Sequence, residues 1–221
     1  MTILRVGLAA LVGSVLLSAG SLSIDNSGFE SADISVNHGG CSGSIFGSTY
    51  IYQAAGCGAA WTFEGGTGLT HFPSGFSNPA GPDGSNQAAF VQGSSDFYQI
   101  ITGVDVGGVY TISFYAVQRT CCDGSLGQTL SVSFGNQALT FAGAGAVQPV
   151  AGVWTLYTTD PFVAQNGSDA LRFTGNYTRG DATAFVDLVG STESGVVPEP
   201  GTWGLLTGGF AGLVWFRQRK K

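Results

Sequence analysis

The fold class follows from one stretch of the chain, Val109-Tyr-Thr-Ile-Ser-Phe-Tyr-Ala-Val117. Successive side chains of a β-strand point to opposite faces, so every second residue of this stretch shares a face. One face carries Tyr110, Ile112, Phe114 and Ala116, which are all apolar or aromatic. A period of two sustained in this way predicts a strand that buries one face in a core.

Other short runs of the same character lie on both sides of this strand. Glycine, asparagine, aspartate and proline separate them, and these residues favour turns. Short strands with such turns between them predict an all-β fold, specifically an antiparallel β-sandwich. The runs lie at residues 60–63, 88–91, 98–101, 130–134, 154–158, 170–173 and 184–189.

The composition excludes several classes of protein. Charged residues make up only 10% of the 221 residues and 36 residues are glycine, which argues against a helical bundle or a coiled coil. The stretch from Ser21 to Val197 holds three arginines against 13 acidic residues, which leaves a formal charge of −10. An acidic surface repels phosphate backbones, so we expect no nucleic-acid partner.

The N-terminus has the pattern of a signal peptide. Arg5 supplies a positive charge, residues 6–17 form an uncharged apolar segment, and small residues follow it. This order is typical of a secretory signal. The sequence therefore predicts a signal peptide over residues 1–20, with cleavage within Ala19–Ser21.

The C-terminus combines two prolines, an uncharged segment and a basic cluster. Pro198 and Pro200 keep the chain extended, and residues 203–216 carry no charge. A helix over 203–216 spans about 21 Å, less than the ~30 Å of a bilayer core. The prolines before it and the basic stop after it nevertheless favour a transmembrane helix. The stop consists of Arg217, Arg219, Lys220 and Lys221.

This tail resembles the PEP-CTERM sorting signal, in which Pro-Glu-Pro, an apolar helix and a basic cluster follow one another at the C-terminus. The corresponding signal here spans 198–221, with Pro198, Glu199 and Pro200 as the sorting motif. The resemblance implies export in a Gram-negative bacterium and recognition by an exosortase in the inner membrane. It further implies processing near the motif and delivery to the envelope or extracellular matrix, in bacteria that typically make exopolysaccharide.

The body, residues 21–190, is similar to the galactose-binding-like jelly rolls of carbohydrate-binding modules, and residues 191–197 are interpreted as a linker. The similarity implies an antiparallel jelly roll. It rests on pieces that follow one another in the expected order: Asn26-Ser-Gly-Phe-Glu30, Trp61-Thr-Phe-Glu-Gly-Gly66, Pro82-Asp-Gly84, Gly107 to Arg119, Trp154 to Tyr157, and Asp187 between apolar residues.

The same similarity implies a structural calcium ion. In the resembling jelly rolls an acid near the first strand and an acid of the last strand meet and bind calcium, and Glu30 and Asp187 occupy these positions. Calcium takes six to eight oxygens, so carbonyls or water would complete the shell. The alternative is a hydrogen-bonded acid pair without a metal.

Four cysteines in an exported chain predict disulfides. Bridging the adjacent Cys121 and Cys122 requires a strained ring, so we expect each of them to pair with Cys41 or Cys57. The alternative is a Cys41–Cys57 bridge with a vicinal pair. A zinc site is disfavoured because no Cys-x-x-Cys spacing occurs and histidine is scarce.

The sequence contains no recognisable catalytic motif, so we predict no catalytic residues and no enzyme activity. Neither His38 nor His71 belongs to a triad pattern, and both are interpreted as surface residues. Two of the acids Glu30, Glu64 and Asp187 would be needed for a carbohydrate-active enzyme, which is one alternative function.

Aromatic residues supply the candidate ligand contacts. Tyr50 and Tyr52 lie in a Gly/Ser-rich region, where exposed rings would stack on sugar rings; the alternative is partial burial in the sandwich. Trp61 and Trp154 are interpreted as core residues. Taken together, the sequence predicts a non-enzymatic surface or matrix protein that binds carbohydrate or exopolysaccharide. A structural surface protein or adhesin without sugar affinity is the other alternative.

Overall fold

Two antiparallel β-sheets pack face to face in the computed structural model of the chain. This architecture confirms the predicted all-β class and antiparallel β-sandwich. The residues that the structure describes are 20–46, 49–57, 59–76, 79–121, 127–177 and 181–196.

The larger sheet has eight strands, and its centre is the long pair β13 and β7, which runs from Ala184↔Gln118 to Val196↔Gly108 with two shifts of register. In order across the sheet the strands are β1 (Ser42–Phe46), β2 (Tyr50–Ala55), β4 (Thr67–His71), β5 (Gln87–Gln92), β13 (Thr183–Val196), β7 (Gly108–Gln118) and β10 (Thr155–Thr158), with β11 (Phe162–Val163) also paired to β7.

The smaller sheet has five strands, in the order β3 (Thr62–Glu64), β6 (Asp96–Thr102), β12 (Ser168–Gly175), β8 (Leu130–Phe134) and β9 (Gln137–Ala138). From β5 to β8 each consecutive strand lies in the other sheet, and β12 is again followed by β13 in the larger sheet. Repeated crossing between two sheets is typical of a jelly roll.

The core lies between the sheets and is rich in aromatic rings. The predicted buried face of β7, residues 110, 112, 114 and 116, is at most 2% exposed. Phe114 of the larger sheet meets Phe173 of the smaller one edge to face at 5.1 Å. Trp61 is buried as predicted. Trp154 is not: it is half-buried outside this core, where its ring packs against Phe72 and its indole N–H donates to the carbonyl of Ala80.

The predicted linker 191–197 is wrong over residues 191–196. These residues form the end of β13 and pair with β7 as far as Val196. On their other side lies the segment 20–27, whose contacts with β13 include Ser27 O to Val189 N at 2.9 Å. β13 therefore reaches Val196, two residues before Pro198 in the sequence.

The expected pairing of Cys121 and Cys122 with Cys41 and Cys57 is also wrong. Cys41 and Cys57 form a disulfide with each other, with their Cα atoms 4.5 Å apart. The reason is local: β1 and β2 pair as a hairpin that matches Ser42 with Ala55, so the flanking cysteines meet. Cys122, and with it the proposed vicinal pair, lies outside the described residues.

Within the part of the chain that the structure describes, no helix is long and apolar enough to cross a membrane. The predicted helix 203–216, the sorting motif and the basic stop lie outside the described residues. So do residues 1–19 of the predicted signal peptide.

Candidate functional site

The outer face of the larger sheet, which points away from the sandwich core, carries a second apolar cluster. Alternation along β2 produces it: Ile51 points into the core, and Tyr50 and Tyr52 point outward. We call this set the outer aromatic cluster. It consists of Phe72, Phe76, Ala88, Phe90, Val117 and Phe185, with Tyr50, Tyr52 and Trp154 packed against it.

Phe76 joins the tyrosines to the sheet. It lies in the connection between β4 and β5, and its ring centroid is 4.4 Å from Tyr50 and 4.7 Å from Phe90. Tyr52 meets Phe90 edge to face at 4.8 Å. Such ring contacts hold both tyrosines in place, so the predicted candidates Tyr50 and Tyr52 belong to one aromatic surface and are half-buried there.

A polar network crosses this surface. The Tyr52 hydroxyl donates to Gln92 Oε1 at 2.8 Å, and Gln92 Nε2 donates to Asp181 Oδ1. Asp181 Oδ2 accepts from Arg119 Nη1 at 2.7 Å, and the Arg119 guanidinium lies 5.1 Å from the Phe76 ring centroid. An aromatic surface and a polar chain thus meet at Tyr52 and at Phe76.

Arg119 is the buried end of this chain. Its side chain is 7% exposed, whereas that of Asp181 is 43% exposed. Burial opposes the charge of Arg119, but a hydrogen bond with Cys121 and the charge of Asp181 outweigh it and raise the pKa of the guanidinium. Arg119 is therefore a fixed positive charge beneath the outer face.

Tyr52 also borders an open depression. The depression is lined by Ser44, Tyr52, Gln53, Gly65 and Gly66. Burial, followed by the charge of Asp181, raises the pKa of Tyr52, so its hydroxyl stays protonated at neutral pH. An aromatic wall with a few convergent polar groups is the usual make-up of a small-molecule or sugar site.

The two acids predicted to bind calcium are brought into one neighbourhood. Glu30 Oε1 accepts from the backbone N–H groups of Asn86 and Gln87 at 2.8 and 2.9 Å. Asp187 accepts from the hydroxyl of Ser85 at 2.6 Å and from the N–H of Leu188 at 2.8 Å. The segment 85–87 therefore links Glu30 to Asp187.

Asp187 is fully buried. Burial is the main cause that raises its pKa from 3.8 to about 7, and the negative charges of Asp83 and Glu30 act in the same direction. The register of β13 shifts between Asp187 and Gly190, and Leu188 has a φ of 49°. A bulge of this kind re-aims a side chain.

The donor chemistry of this neighbourhood suits calcium, because it offers carboxylate and hydroxyl oxygens. Among the described residues, however, no three His, Cys, Asp or Glu side chains are grouped to hold a metal ion. The carboxylates of Glu30 and Asp187 are the type of ligand that calcium prefers, and backbone carbonyls or water would have to supply the remaining ligands.

Glu64 lies on the other sheet, where its side chain is 53% exposed and 3.8 Å from Arg172. It is thus separated from Glu30 and Asp187. His38 lies in the 3-10 turn Asn37–Gly40 and His71 ends β4, and both are half-buried.

Sequence reasoning missed the polar half of the outer face, namely Gln92, Arg119 and Asp181, and also Phe76. One signal was present. The body has only three arginines, and Arg119 directly follows a strand of apolar residues, where a charge needs a partner.

Residues 196–220 match the family model described as the PEP-CTERM protein-sorting motif. The chain carries a PEP-CTERM sorting signal. The motif covers the tail alone and indicates an exported protein with a C-terminal, membrane-anchoring sorting signal. It begins at Val196, the last residue of β13. No curated protein sequence matches this chain.

Solved structures resemble the body. A Stig cyclase from Fischerella sp. TAU, in complex with (3Z)-3-(1-methyl-2-pyrrolidinylidene)-3H-indole, is 16% identical, with a TM-score of 0.54 over 81% of this chain and 100% of that chain. A cyclase from the same organism, in complex with 4-(1H-indol-3-yl)butan-2-one, is 15% identical, with a TM-score of 0.54 over 81% and 100%. At these identities the likeness shows a shared fold alone.

A carbohydrate-binding module is among the weaker matches. The CBM22-1–GH10 modules of a Clostridium thermocellum endo-1,4-β-D-xylanase, complexed with xylohexaose, are 19% identical, with a TM-score of 0.41 over 63% of this chain and 27% of that chain. The PEP-CTERM signal and the β-sandwich are thus the two features that the comparisons establish.

Proposed function

We propose that this chain is a non-enzymatic surface protein, processed by an exosortase through its PEP-CTERM signal, that binds carbohydrate of the cell envelope or exopolysaccharide. The binding site is the outer face of the larger sheet. The sorting signal supports the destination, and the chemistry of the outer face supports the ligand class. The host is a Gram-negative bacterium.

One residue carries the binding proposal. Tyr52 belongs at once to the outer aromatic cluster, to the polar chain that ends at Arg119, and to the lining of the open depression. Sugars present apolar C–H faces edged by hydroxyls. An aromatic ring beside fixed donors and acceptors is complementary to both features.

The positions of the acids favour a binding protein over a hydrolase. Asp187 is buried, and Glu30 is held by two backbone N–H groups. Glu64 is on the smaller sheet beside Arg172. A glycosidase requires two carboxyl groups that flank the scissile bond, and these three acids do not share an open face.

The binding test uses exopolysaccharide from the host strain and a panel of soluble polysaccharides, measured by affinity electrophoresis and calorimetry. We expect Tyr52→Ala to weaken binding about ten-fold, since it removes a ring and the end of the polar chain. Tyr98→Ala is the matched control, because Tyr98 is a half-buried tyrosine under Arg172 on the other sheet.

Three outcomes count against the proposal. If no polysaccharide binds, the chain is a structural protein or adhesin without sugar affinity. If Tyr98→Ala weakens binding and Tyr52→Ala does not, the site lies on the smaller sheet. Turnover of a polysaccharide that Glu30→Gln or Glu64→Gln abolishes would make the chain a carbohydrate-active enzyme.

A structural calcium ion at Glu30 and Asp187 completes the proposal. The support is the raised pKa of Asp187, about 7, which burial and the nearby carboxylates cause: a bound cation would offset both effects and keep the carboxylate ionised at neutral pH. We expect millimolar CaCl2 to raise the melting temperature relative to EDTA, and Glu30→Gln to reduce that increase. An equal response to MgCl2 and CaCl2, or no response to either, would argue for the acid pair without a metal.

A further inference from the structure

The first described residue, Gly20, is bound to the last strand of the sheet by two hydrogen bonds. Gly20 N donates to Glu193 Oε2 at 2.7 Å, and Glu193 N donates to the Gly20 carbonyl at 3.1 Å. Two residues further on, Leu22 N donates to the Ser191 hydroxyl at 2.7 Å. The segment that follows the predicted signal peptide therefore lines the free edge of β13.

Glu193 is an unusual residue for this place. It is only 7% exposed, and within the described part of the chain it forms no salt bridge. The titratable groups facing it are on the β7 side: Tyr110, its register partner, and beyond that Asp105. Neither supplies a positive charge. A buried carboxylate is costly without a cation, and among the described residues Glu193 has no such cation beside it.

Removal of a signal peptide can provide that cation. Hydrolysis of the Ala19–Gly20 bond consumes one water: Ala19 leaves with a carboxylate, and Gly20 N becomes an ammonium group. The new ammonium lies where the amide now donates to Glu193 Oε2. We infer that the mature chain begins at Gly20 and that Glu193 is the built-in acceptor for its α-ammonium group.

Neighbouring cleavage sites do not have this consequence. Cleavage after Gly20 or after Ser21 removes the donor at Gly20 and leaves Glu193 buried without it. The absence of a side chain at position 20 fits the same purpose, because a Cβ there would lie 2.6 Å from Glu193 Oε2. Ala19, directly before the cut, supplies one of the two small residues of an A-x-A-like signal-peptidase site, and Leu17 stands at the other position.

Cleavage before Gly20 also bears on the C-terminal end of the domain. Glu193 is three residues before Val196, where the PEP-CTERM motif starts. Docking of the new N-terminus thus fixes the end of the strand that leads to the sorting motif. This inference rests on the proposed export, since it requires a signal peptide that is removed.

Intact mass and N-terminal sequencing of the full chain, expressed in an exporting Gram-negative host, test the cleavage site. We expect an N-terminus at Gly20. A chain processed to begin at Ser21 or Leu22 would overturn the inference and leave export standing. A chain that keeps residues 1–19 would contradict export itself.

The ion pair is tested by the pKa of the α-amino group, followed by pH-dependent reductive ¹³C-methylation and NMR. The only lysines are Lys220 and Lys221, both in the tail, so the body has no other amine. A free α-amino group has a pKa of about 7.7–8.0, and a carboxylate partner raises it by about 1 to 3.

We expect the raised pKa in the parent chain and an ordinary one in Glu193→Gln. Glu64→Gln, which removes an exposed charge from the other sheet, is the control and should leave the raised pKa unchanged. If Glu193→Gln does not fold, Gly20→Ala keeps the carboxylate but displaces it, and should lower the pKa toward the ordinary value. The α-amino pKa of the parent is then compared with that of Glu193→Gln or, if that variant does not fold, of Gly20→Ala. Equal values would show that Glu193 does not pair with the α-ammonium group.

Discussion

Asp187 makes the stability of the domain depend on pH. Its pKa is raised from 3.8 to about 7, mainly by burial. The unfolded chain loses this proton near pH 4, whereas the folded chain keeps it to about pH 7. The proton therefore stabilises the folded chain fully below pH 4, and this stabilisation is lost as the pH rises from 4 to 7. In the absence of calcium, we expect the free energy of unfolding to fall between pH 4 and 7, by on the order of 1 kcal/mol per pH unit, and then to level off.

Urea unfolding at a series of pH values measures this effect, and Asp187→Asn should flatten the curve over the same range. Asp169→Asn, a change at a half-exposed acid on β12, serves as the control. A parent curve as flat between pH 4 and 7 as that of Asp187→Asn would show that Asp187 ionises with an ordinary pKa in the folded chain.

Removing the charge of Asp181 and removing the charge of Arg119 should lower the stability of the domain by different amounts. Asp181→Asn leaves the Arg119 guanidinium buried without its anion, and we expect a loss of about 1–3 kcal/mol. Arg119→Met keeps an apolar contact with Phe76 and leaves the more exposed Asp181 to water, so it should cost less. Urea unfolding at pH 8 compares the two; equal costs would contradict the burial difference.

At the scale of the strands, the end of β13 determines how far the chain can be truncated from its C-terminus without loss of stability. A chain ending at Val197 retains all of β13 and should unfold like the untruncated body. A chain ending at Gly190 loses the pairing of residues 191–196 with β7 and the contact of Glu193 with Gly20. We expect it to be less stable by several kcal/mol, or unfolded.

Thermal unfolding of the two truncated chains, each carrying the natural signal peptide, distinguishes these cases. A Gly190-terminated chain as stable as the Val197-terminated one would mean that residues 191–196 are the linker that their composition suggests.

The strands that could be predicted from sequence are those with one buried face. β7 alternates because Phe114 faces the core and Ser113 does not. β4 is buried from Thr67 to Thr70 on both faces and has no alternation to detect. The end of β13 carries mostly polar side chains, and its pairing with β7 is made by backbone groups, so the sequence shows no alternating apolar pattern there.

The candidate site was predictable only in its aromatic half. Tyr50 and Tyr52 stand out in a Gly/Ser-rich region, whereas Gln92 and Asp181 become partners of Tyr52 and Arg119 through contacts between distant strands. The disulfide illustrates the same limit. Pairing of Cys41 with Cys57 follows from the β1–β2 hairpin, and β1 has too few apolar residues to be recognised as a strand.

In the whole molecule, the β-sandwich is followed almost at once in the sequence by the sorting signal. β13 ends at Val196, and the PEP-CTERM match spans 196–220. An enzyme that processes the chain near Pro198 would therefore act about two residues from the folded domain. After processing near Pro198, the chain would keep all the strands that the structure describes, which lie within residues 42–196.

The most direct test is the intact mass of the parent and of a variant with Pro198, Glu199 and Pro200 changed to alanine, in separated inner-membrane, envelope and secreted fractions of an exosortase-containing host. We predict that the parent loses mass at its C-terminus and leaves the inner membrane, while the variant keeps residues 198–221 and stays there. A variant that is shortened and sorted like the parent would contradict it, and the tail would then be a general membrane anchor.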